Sequence, residues 1–215
     1  MAVVGIVPAA GRGERLGSDV PKGFASCAGR PLLEWSLEVL EVVCDRVVVA
    51  VPPGEAVGPD RVPGGEFRSQ SVRAALAAAP EAHIAVVHDA ARPLLTRELV
   101  EACVAAVEEG WDGAVAAAPV SDTVKEAGSD GRVERTLDRS RLWAVQTPQA
   151  FAAGVLRRAL DADDEVLAAA TDDASLVEAI GGSVRVVEAP ADNIKVTREL
   201  DLRLAEELLR ARAAC

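Results

Sequence analysis

Arg12, Arg15 and Lys22 follow closely on two glycines, Gly11 and Gly13, in the stretch Pro8-Ala9-Ala10-Gly11-Arg12-Gly13-Glu14-Arg15-Leu16-Gly17-Ser18-Asp19-Val20-Pro21-Lys22. Clustered cations beside glycines suit a polyanion. Glycines let backbone N–H groups approach an anion with no side chain in the way, and the cations supply countercharge. The chemistry this implies is binding of a nucleoside triphosphate. Two familiar glycine motifs are excluded. Gly11-x-Gly13-x-x-Leu16 lacks the third glycine of a dinucleotide fingerprint, and no Gly-x-x-x-x-Gly-Lys-Ser/Thr occurs. An ordinary basic surface loop is the plain alternative for the Gly-x-Gly alone; two prolines and Lys22 weigh against it for the longer stretch.

Other residues invite a chemical reading. His88-Asp89-Ala90-Ala91-Arg92-Pro93 follows directly on the apolar run Ile84–Val87. Asp89 and Arg92 read either as a structural ion pair or as contacts to metal or substrate phosphate. Gly64-Gly65 is a second point of close backbone approach. Ser71, near a helix start, reads as a cap or as a ligand contact. The cysteines, Cys27, Cys44, Cys103 and Cys215, include no Cys-x-x-Cys pair, and His83 and His88 have no cysteine nearby. A zinc site is therefore not expected. The thiols read as buried groups of a reducing compartment.

These residues need a frame that holds strand ends side by side. Val3–Val7 and Arg46–Pro52 are runs of buried-strand type, and Ile84–Val87, Gly113–Ala118 and Val184–Val187 read as further strands. Helical spacing separates them: Leu32–Leu40 after Pro31, Arg68–Ala79, and a helix through about Val107 that Thr96 caps. Further helices are expected at about 152–162, 172–180 and 198–212. Strands alternating with helices predict one doubly wound α/β domain over 1–215, with a mostly parallel sheet. In such a fold, loops at the carboxyl ends of strands carry ligands. The polar segment 122–139 departs from the pattern. Its turn Gly128-Ser129-Asp130-Gly131 between β-compatible flanks predicts a protruding hairpin. A hairpin so poor in apolar residues does not stand alone, so a homodimer with this arm packed on a second subunit is expected.

Composition narrows the classes. The net charge of −11 repels phosphate polymers, and the chain has 3% aromatic residues and no Tyr, so nucleic acid is not an expected partner. No apolar run reaches membrane-spanning length, and the N-terminus lacks a basic leader. A cytoplasmic protein without a membrane partner is the expectation.

Taken in order, the motifs resemble one family. They are Pro-Ala-Ala-Gly-x-Gly-x-Arg at 8–15, Pro21-Lys22, Gly64-Gly65 through Ser71-Val72 and Val-His-Asp-Ala-Ala-Arg-Pro at 87–93. Pro-Val-x-Asp-Thr-x-Lys at 119–125, Asp138-Arg139, Gln-Thr-Pro-Gln-x-Phe at 146–151, Thr-Asp-Asp-Ala at 171–174 and Asn-Ile-Lys-Val-Thr at 193–197 complete the series. The first belongs to nucleotidyltransferases in general. The series is similar to that of 2-C-methyl-D-erythritol 4-phosphate cytidylyltransferases of the non-mevalonate isoprenoid pathway. The resemblance implies a Rossmann-like nucleotidyltransferase fold with an arm exchanged between subunits. It implies transfer of CMP from CTP to the methylerythritol phosphate, with Mg²⁺ held mainly by the CTP phosphates. Arg15, Lys22, Arg139 and Lys195 would be catalytic. Ala9, Ala10, Gly11, Gly13, Gly65, Glu66, Ser71 and Ala90 would bind the nucleotide. Asp89, Arg92, Thr123, Arg139, Thr147, Thr171 and Lys195 would line the acceptor side, with Thr123 and Arg139 acting on the neighbour's substrate.

The chain departs from the family after Pro21-Lys22, where Gly23-Phe24-Ala25-Ser26 replaces a common Gln-aromatic-Leu, and at Leu16, where Met is usual. Rival readings are a ribitol 5-phosphate cytidylyltransferase, a sugar-1-phosphate nucleotidyltransferase, and a regulatory nucleotide binder. The last predicts missing cations, and Arg15, Lys22, Arg139 and Lys195 are all present.

Overall fold

The computed structural model describes residues 1–11, 21–56 and 58–213. Val3–Pro8 forms β1, a run with no polar side chain on either face. Its side chains alternate, Val4 and Ile6 into one core layer and Val7 into the other. A 3-10 turn at Lys22–Phe24 and a small hairpin, β2 (Ser26–Cys27) with β3 (Arg30–Pro31), lead into α1 (Leu32–Val43). β4 (Arg46–Val51) lies parallel to β1, and β5 (Arg61–Pro63) parallel to β4. α2 (Arg68–Ala77) then crosses to β6 (Ile84–Val87), parallel to β1 on its other side.

α3 (Arg97–Glu108) begins at Thr96, whose hydroxyl accepts from the Leu99 N–H as expected. It leads to β7 (Gly113–Pro119). β8 (Lys125–Ala127) and β9 (Val133–Thr136) pair with each other in a hairpin separate from the main sheet. β10 (Trp143–Ala152) runs antiparallel to both β6 and β7. α4 (Ala153–Leu160), α5 (Asp164–Ala169) and α6 (Asp173–Ala179) follow. β11 (Val184–Glu188) joins β7 in parallel, and α7 (Glu199–Ala213) ends the described chain.

The main sheet has the order β11-β7-β10-β6-β1-β4-β5. It is mostly parallel, as expected, with β10 as the reversed strand. Pro148 interrupts the strand period there, and the pairing shifts register between Val145 and Gln149. A strand through Ala152 also delays the next helix, expected from about 152, to Ala153. Asp172 caps α6, its carboxylate accepting from the Ser175 N–H at 2.9 Å. α5 is six residues long, too short for a readable period.

Helices cover both faces. α2, α4 and α6 bury Leu76, Leu156, Leu160 and Val177 against one face. α1 and α3 bury Leu40, Leu99 and Val100 against the other. α7 seals a third cluster around Leu32, Leu94 and Leu209. The pairing of β1 with both β4 and β6 brings their carboxyl ends together. The Ala9 N–H donates to the Ala50 carbonyl at 2.7 Å and the His88 N–H to the Ile6 carbonyl at 2.9 Å. The two polar loops found in the sequence, 9–11 and 88–92, therefore leave the sheet side by side.

Among the described residues, Phe151 is the largest fully buried side chain. Gly113 makes room for its ring, since a Cβ there would lie 2.6 Å from Phe151 Cδ1. Phe151→Ala is expected to lower stability by about 3–5 kcal/mol, read as a reduced urea midpoint with an unchanged slope.

Candidate active site

A cleft of about 1060 Å³ opens at the carboxyl ends of β1 and β6. One wall is backbone-rich: Pro8 to Gly11 on one side and Gly64 to Glu66 on the other. The two loops touch, because a Cβ on Gly64 would fall 2.3 Å from Ala10 Cβ. Only glycine permits that approach. The Gly64 N–H donates to the Val51 carbonyl at 2.8 Å. The Gly65 N–H donates to Ser71 Oγ at 3.1 Å, and Ser71 donates to the Phe67 carbonyl at 3.3 Å. Gln70 Oε1 accepts from the Glu66 N–H at 2.9 Å. Ser71 thus lines the cleft and also braces the glycine loop from the first turn of α2.

Lys22 and Gly23 enter from the far rim of this wall. The Lys22 N–H donates to the Gly11 carbonyl at 3.3 Å. Gly23 is buried, and a Cβ there would meet Ala90 Cβ at 3.2 Å. The glycine that departs from the family pattern thus fits a turn packed tightly on the 88–92 loop.

The opposite side is charged. Asp89 receives Lys195 Nζ at 2.7 Å and Arg68 Nε at 3.0 Å, with Arg92 Nε at 3.9 Å. Burial by itself would raise the Asp89 carboxyl; the guanidiniums and the ammonium override it and hold the group far below the usual carboxylate range. Arg68 reaches a second carboxylate with Nη1, 2.5 Å from Asp173 Oδ2. Burial opposes its charge, but the two aspartates keep it firmly protonated. Asp173 is itself raised, chiefly by burial, and its Oδ1 has no partner. Arg92 is lowered by burial, and its Nη1 donates to the Asn193 carbonyl at 2.7 Å.

Lys195 arrives from a loop more than a hundred residues away in sequence. Two anchors fix that loop. The buried Asn193 side chain donates to the Thr147 carbonyl at 2.9 Å and to Gln146 Oε1 at 2.8 Å. The Val196 N–H donates to the Ala91 carbonyl at 2.8 Å. Lys195 lies between these anchors.

Ala9, Ala10, Gly11, Lys22, Gly65, Glu66, Ser71, Asp89, Ala90 and Lys195 all line the cleft. Arg92 and Thr147 are buried behind Asp89, where the Asp89 N–H donates to Thr147 Oγ1 at 3.0 Å. Thr171 is exposed and, like Thr123 and Arg139, is not among the lining residues. Arg139 Nη1 instead donates to the Ser121 carbonyl on the exposed arm. Gly13 and Arg15 lie outside the described residues. Arg68 and Asp173 escaped the sequence reading. A signal existed for Arg68: a cation in the first turn of a helix runs against the helix dipole and needs a carboxylate nearby.

No group of three or more His, Cys, Asp or Glu side chains among the described residues is arranged to hold a metal ion. Asp89 is engaged by cations and Glu66 is the other carboxylate of the lining.

His88 is fully buried, and burial lowers its pKa to about 4. Arg92 and Arg68 also disfavour its charge, against the Arg92 carbonyl and Asp89, which favour it. The unfolded chain therefore binds a proton in the window from about 6.5 down to about 4 that the folded chain does not. Stability contributed by neutral His88 is complete above pH 6.5 and is lost as pH falls toward 4, by on the order of 3 kcal/mol. Raised Asp173 works in the opposite sense, so the comparison of wild type with His88→Asn isolates the histidine. The variant's stability, measured by urea unfolding from pH 7 to 4, should lack this component.

The cleft joins a glycine wall to a charged wall, and relatives share the fold that frames it. Residues 3–211 match the family model described as 2-C-methyl-D-erythritol 4-phosphate cytidylyltransferase. The cytidylyltransferase of that name from Saccharopolyspora erythraea is 45% identical, over 97% of this chain and 100% of its own length. That of Frankia casuarinae is 46% identical, over 96% of this chain and 81% of its own. The crystal structure of the Thermus thermophilus protein of the same name superposes with a TM-score of 0.82 at 37% identity, covering 98% of this chain and 100% of that one. With a family model matching nearly the whole chain and relatives of over 40% identity along it, this chain belongs to the 2-C-methyl-D-erythritol 4-phosphate cytidylyltransferase family.

Proposed function

We propose that the protein transfers CMP from CTP to 2-C-methyl-D-erythritol 4-phosphate. Pyrophosphate leaves and 4-diphosphocytidyl-2-C-methyl-D-erythritol forms, a step of the non-mevalonate isoprenoid pathway. An acceptor phosphate oxygen bonds to the α-phosphorus of CTP as the bond to the bridging oxygen of the β-phosphate breaks. The observation that carries this reading is the Asp89-centred group of Lys195, Arg68 and Arg92 facing a glycine-walled cleft that also holds Lys22.

The nucleophile is a phosphate monoester, largely dianionic at neutral pH because its second pKa is ~6. It needs no side chain as general base. The barrier lies in bringing anions together in line, and fixed cations lower it by positioning and electrostatic stabilisation. In this reading Ala9, Ala10, Gly11, Gly65, Glu66, Ser71 and Ala90 enclose the cytidine and its phosphates. Lys22, with Arg15 and Gly13 assigned by resemblance, meets the triphosphate. Lys195 meets the acceptor phosphate, held in place by Asp89. When bound with CTP, Mg²⁺ would supply further countercharge for the phosphates. Arg92, Thr147 and Thr171 belong to the acceptor side, directly or from behind it.

The arm, 122–139 of a single domain, is read as a dimerisation element. Val133, Trp143 and Val145 on it and at its base are exposed apolar side chains, an arrangement that favours cover by a second copy. Thr123 and Arg139 would then serve the acceptor site of that copy. Nothing in the cleft favours a polymeric nucleic-acid partner, and among the described residues no helix is long and apolar enough to cross a membrane.

Pyrophosphate release with CTP and Mg²⁺ should depend on methylerythritol 4-phosphate and be far weaker with ribitol 5-phosphate. Lys22→Ala and Lys195→Ala should each cost roughly 10²–10³-fold in turnover, as for loss of a transition-state donor. Equal use of both acceptors would reassign the substrate. Near-normal turnover in a folded lysine variant would remove its role. Val145→Asp should yield monomers by light scattering with activity lost alongside; an active monomer would refute a shared site.

A further inference from the structure

None of the residues of the short helix α5 lines the cleft, yet α5 is fastened to the helix start that braces the glycine wall. Three side chains from the first two turns of α2 do the fastening. Ser69 Oγ donates to the buried Leu167 carbonyl at 2.7 Å. Arg73 Nη2 donates to Asp164 Oδ1 at 3.1 Å. Gln70 works in both directions. Its Oε1 accepts from the Glu66 N–H at 2.9 Å and from the Phe67 N–H at 3.4 Å. Its amide also hydrogen-bonds the Asp164 carboxylate and is the first cause, ahead of Arg73, that holds that carboxyl below its usual range. A carboxylate only accepts, so the Gln70 amide turns its NH2 to Asp164 and its oxygen to the loop.

We infer that Gln70 is a positioning residue for the nucleotide, coupling α5 to the Gly65–Glu66 turn so that this wall holds its shape before CTP arrives. The inference rests on the proposed reaction for the identity of the nucleotide; the bonds that carry it do not.

Close packing is a second observation. A Cβ on Gly65 would lie 2.4 Å from Gln70 Cβ and 2.8 Å from Gln70 Oε1, so the turn lies directly on the Gln70 side chain. Four successive N–H groups are engaged within this wall. Gly64 donates to the Val51 carbonyl, Gly65 to Ser71 Oγ, and Glu66 and Phe67 both to Gln70. Gly65 and Glu66 are exposed, so burial does little to order the turn and the bonds from α2 must do so. A turn ordered in advance leaves less conformational freedom to be lost when the ligand binds. Asp164 and Arg73 extend that order outward to a helix that touches no part of the cleft.

Gln70→Met keeps length and bulk and removes the bonds to loop and helix together. It should raise the CTP KM about tenfold, as for one net hydrogen bond, and leave the acceptor KM unchanged. Asp164→Ala removes only the outer tie, at an exposed carboxylate, and should raise the CTP KM about threefold. Gln70→Glu keeps the acceptor for the loop but sets a second carboxylate against Asp164, and should fall between the two. Adding Asp164→Asn to Gln70→Glu exchanges amide and carboxylate and puts a donor opposite an acceptor again. That double variant should return to within about twofold of wild type. A wild-type CTP KM in Gln70→Met would overturn the inference. So would CTP and acceptor KM rising together, which marks general loosening of α2, or a double variant no better than Gln70→Glu.

Pyrophosphate release by the wild type tests the reaction separately. Should it fail with every acceptor, hydrogen exchange still decides the coupling. The Glu66 amide should be protected in the wild type, exchange faster in Gln70→Met, and recover in the double variant. A Glu66 amide indifferent to Gln70→Met would overturn the inference whatever the assay shows.

Discussion

A buried carboxylate is tolerable only when positive charge and hydrogen bonds replace the water it has lost. Asp89 meets that condition with Lys195, Arg68 and Arg92 from three separate parts of the chain. Two of these cations are in turn held by something else. Arg68 is shared with Asp173 at the start of α6, and Arg92 bonds the backbone of the loop that carries Lys195. Removal of Asp89 would leave cations crowded in a partly buried space. The carboxylate therefore acts as the counter-ion around which α2, the loop after β6, α6 and the 190–197 loop are assembled.

The same arrangement suits the proposed chemistry. Anions that approach the cleft meet positive charge whose direction is already fixed, so little reorganisation remains for the moment of reaction. The protein as a whole is acidic, with net charge −11. Positive charge is nevertheless concentrated beside one cleft, around Asp89.

Backbone and side chains divide the work between the two walls. Glycines at 11, 64 and 65 allow main-chain approach, with Gly64 in direct contact with Ala10. Ser71 and Gln70 stiffen that wall from the first turn of α2. Arg68 sits in the same turn and belongs to the charged wall. A single helix start thus ties the glycine wall of the cleft to the charged wall. Gly23 illustrates how local departures are absorbed: its missing side chain lets the Lys22 turn settle on Ala90.

Much of this was legible before any coordinates. Runs such as Val3–Val7 and Ile84–Val87 have apolar residues on both faces, which only a buried strand accommodates, and their alternation with amphipathic helices left a wound α/β sheet as the economical arrangement. The glycine-rich loop and the Asp89–Arg92 cluster announced themselves by following those runs directly. The reversed direction of β10 was not legible, because a strand's sequence carries no sign of its orientation and Pro148 broke its period. Nor were the partners of Asp89. Arg68 and Asp173 look like ordinary surface charges until folding brings them 2.5 Å apart. The contact of Thr147 Oγ1 with His88 Nδ1 at 3.1 Å was equally hidden, since it forms only when β10 meets the turn after β6. Local sequence determined which elements form and which residues are unusual; the pairing of buried charges, which depends on distance in space rather than along the chain, was decided by the tertiary structure alone.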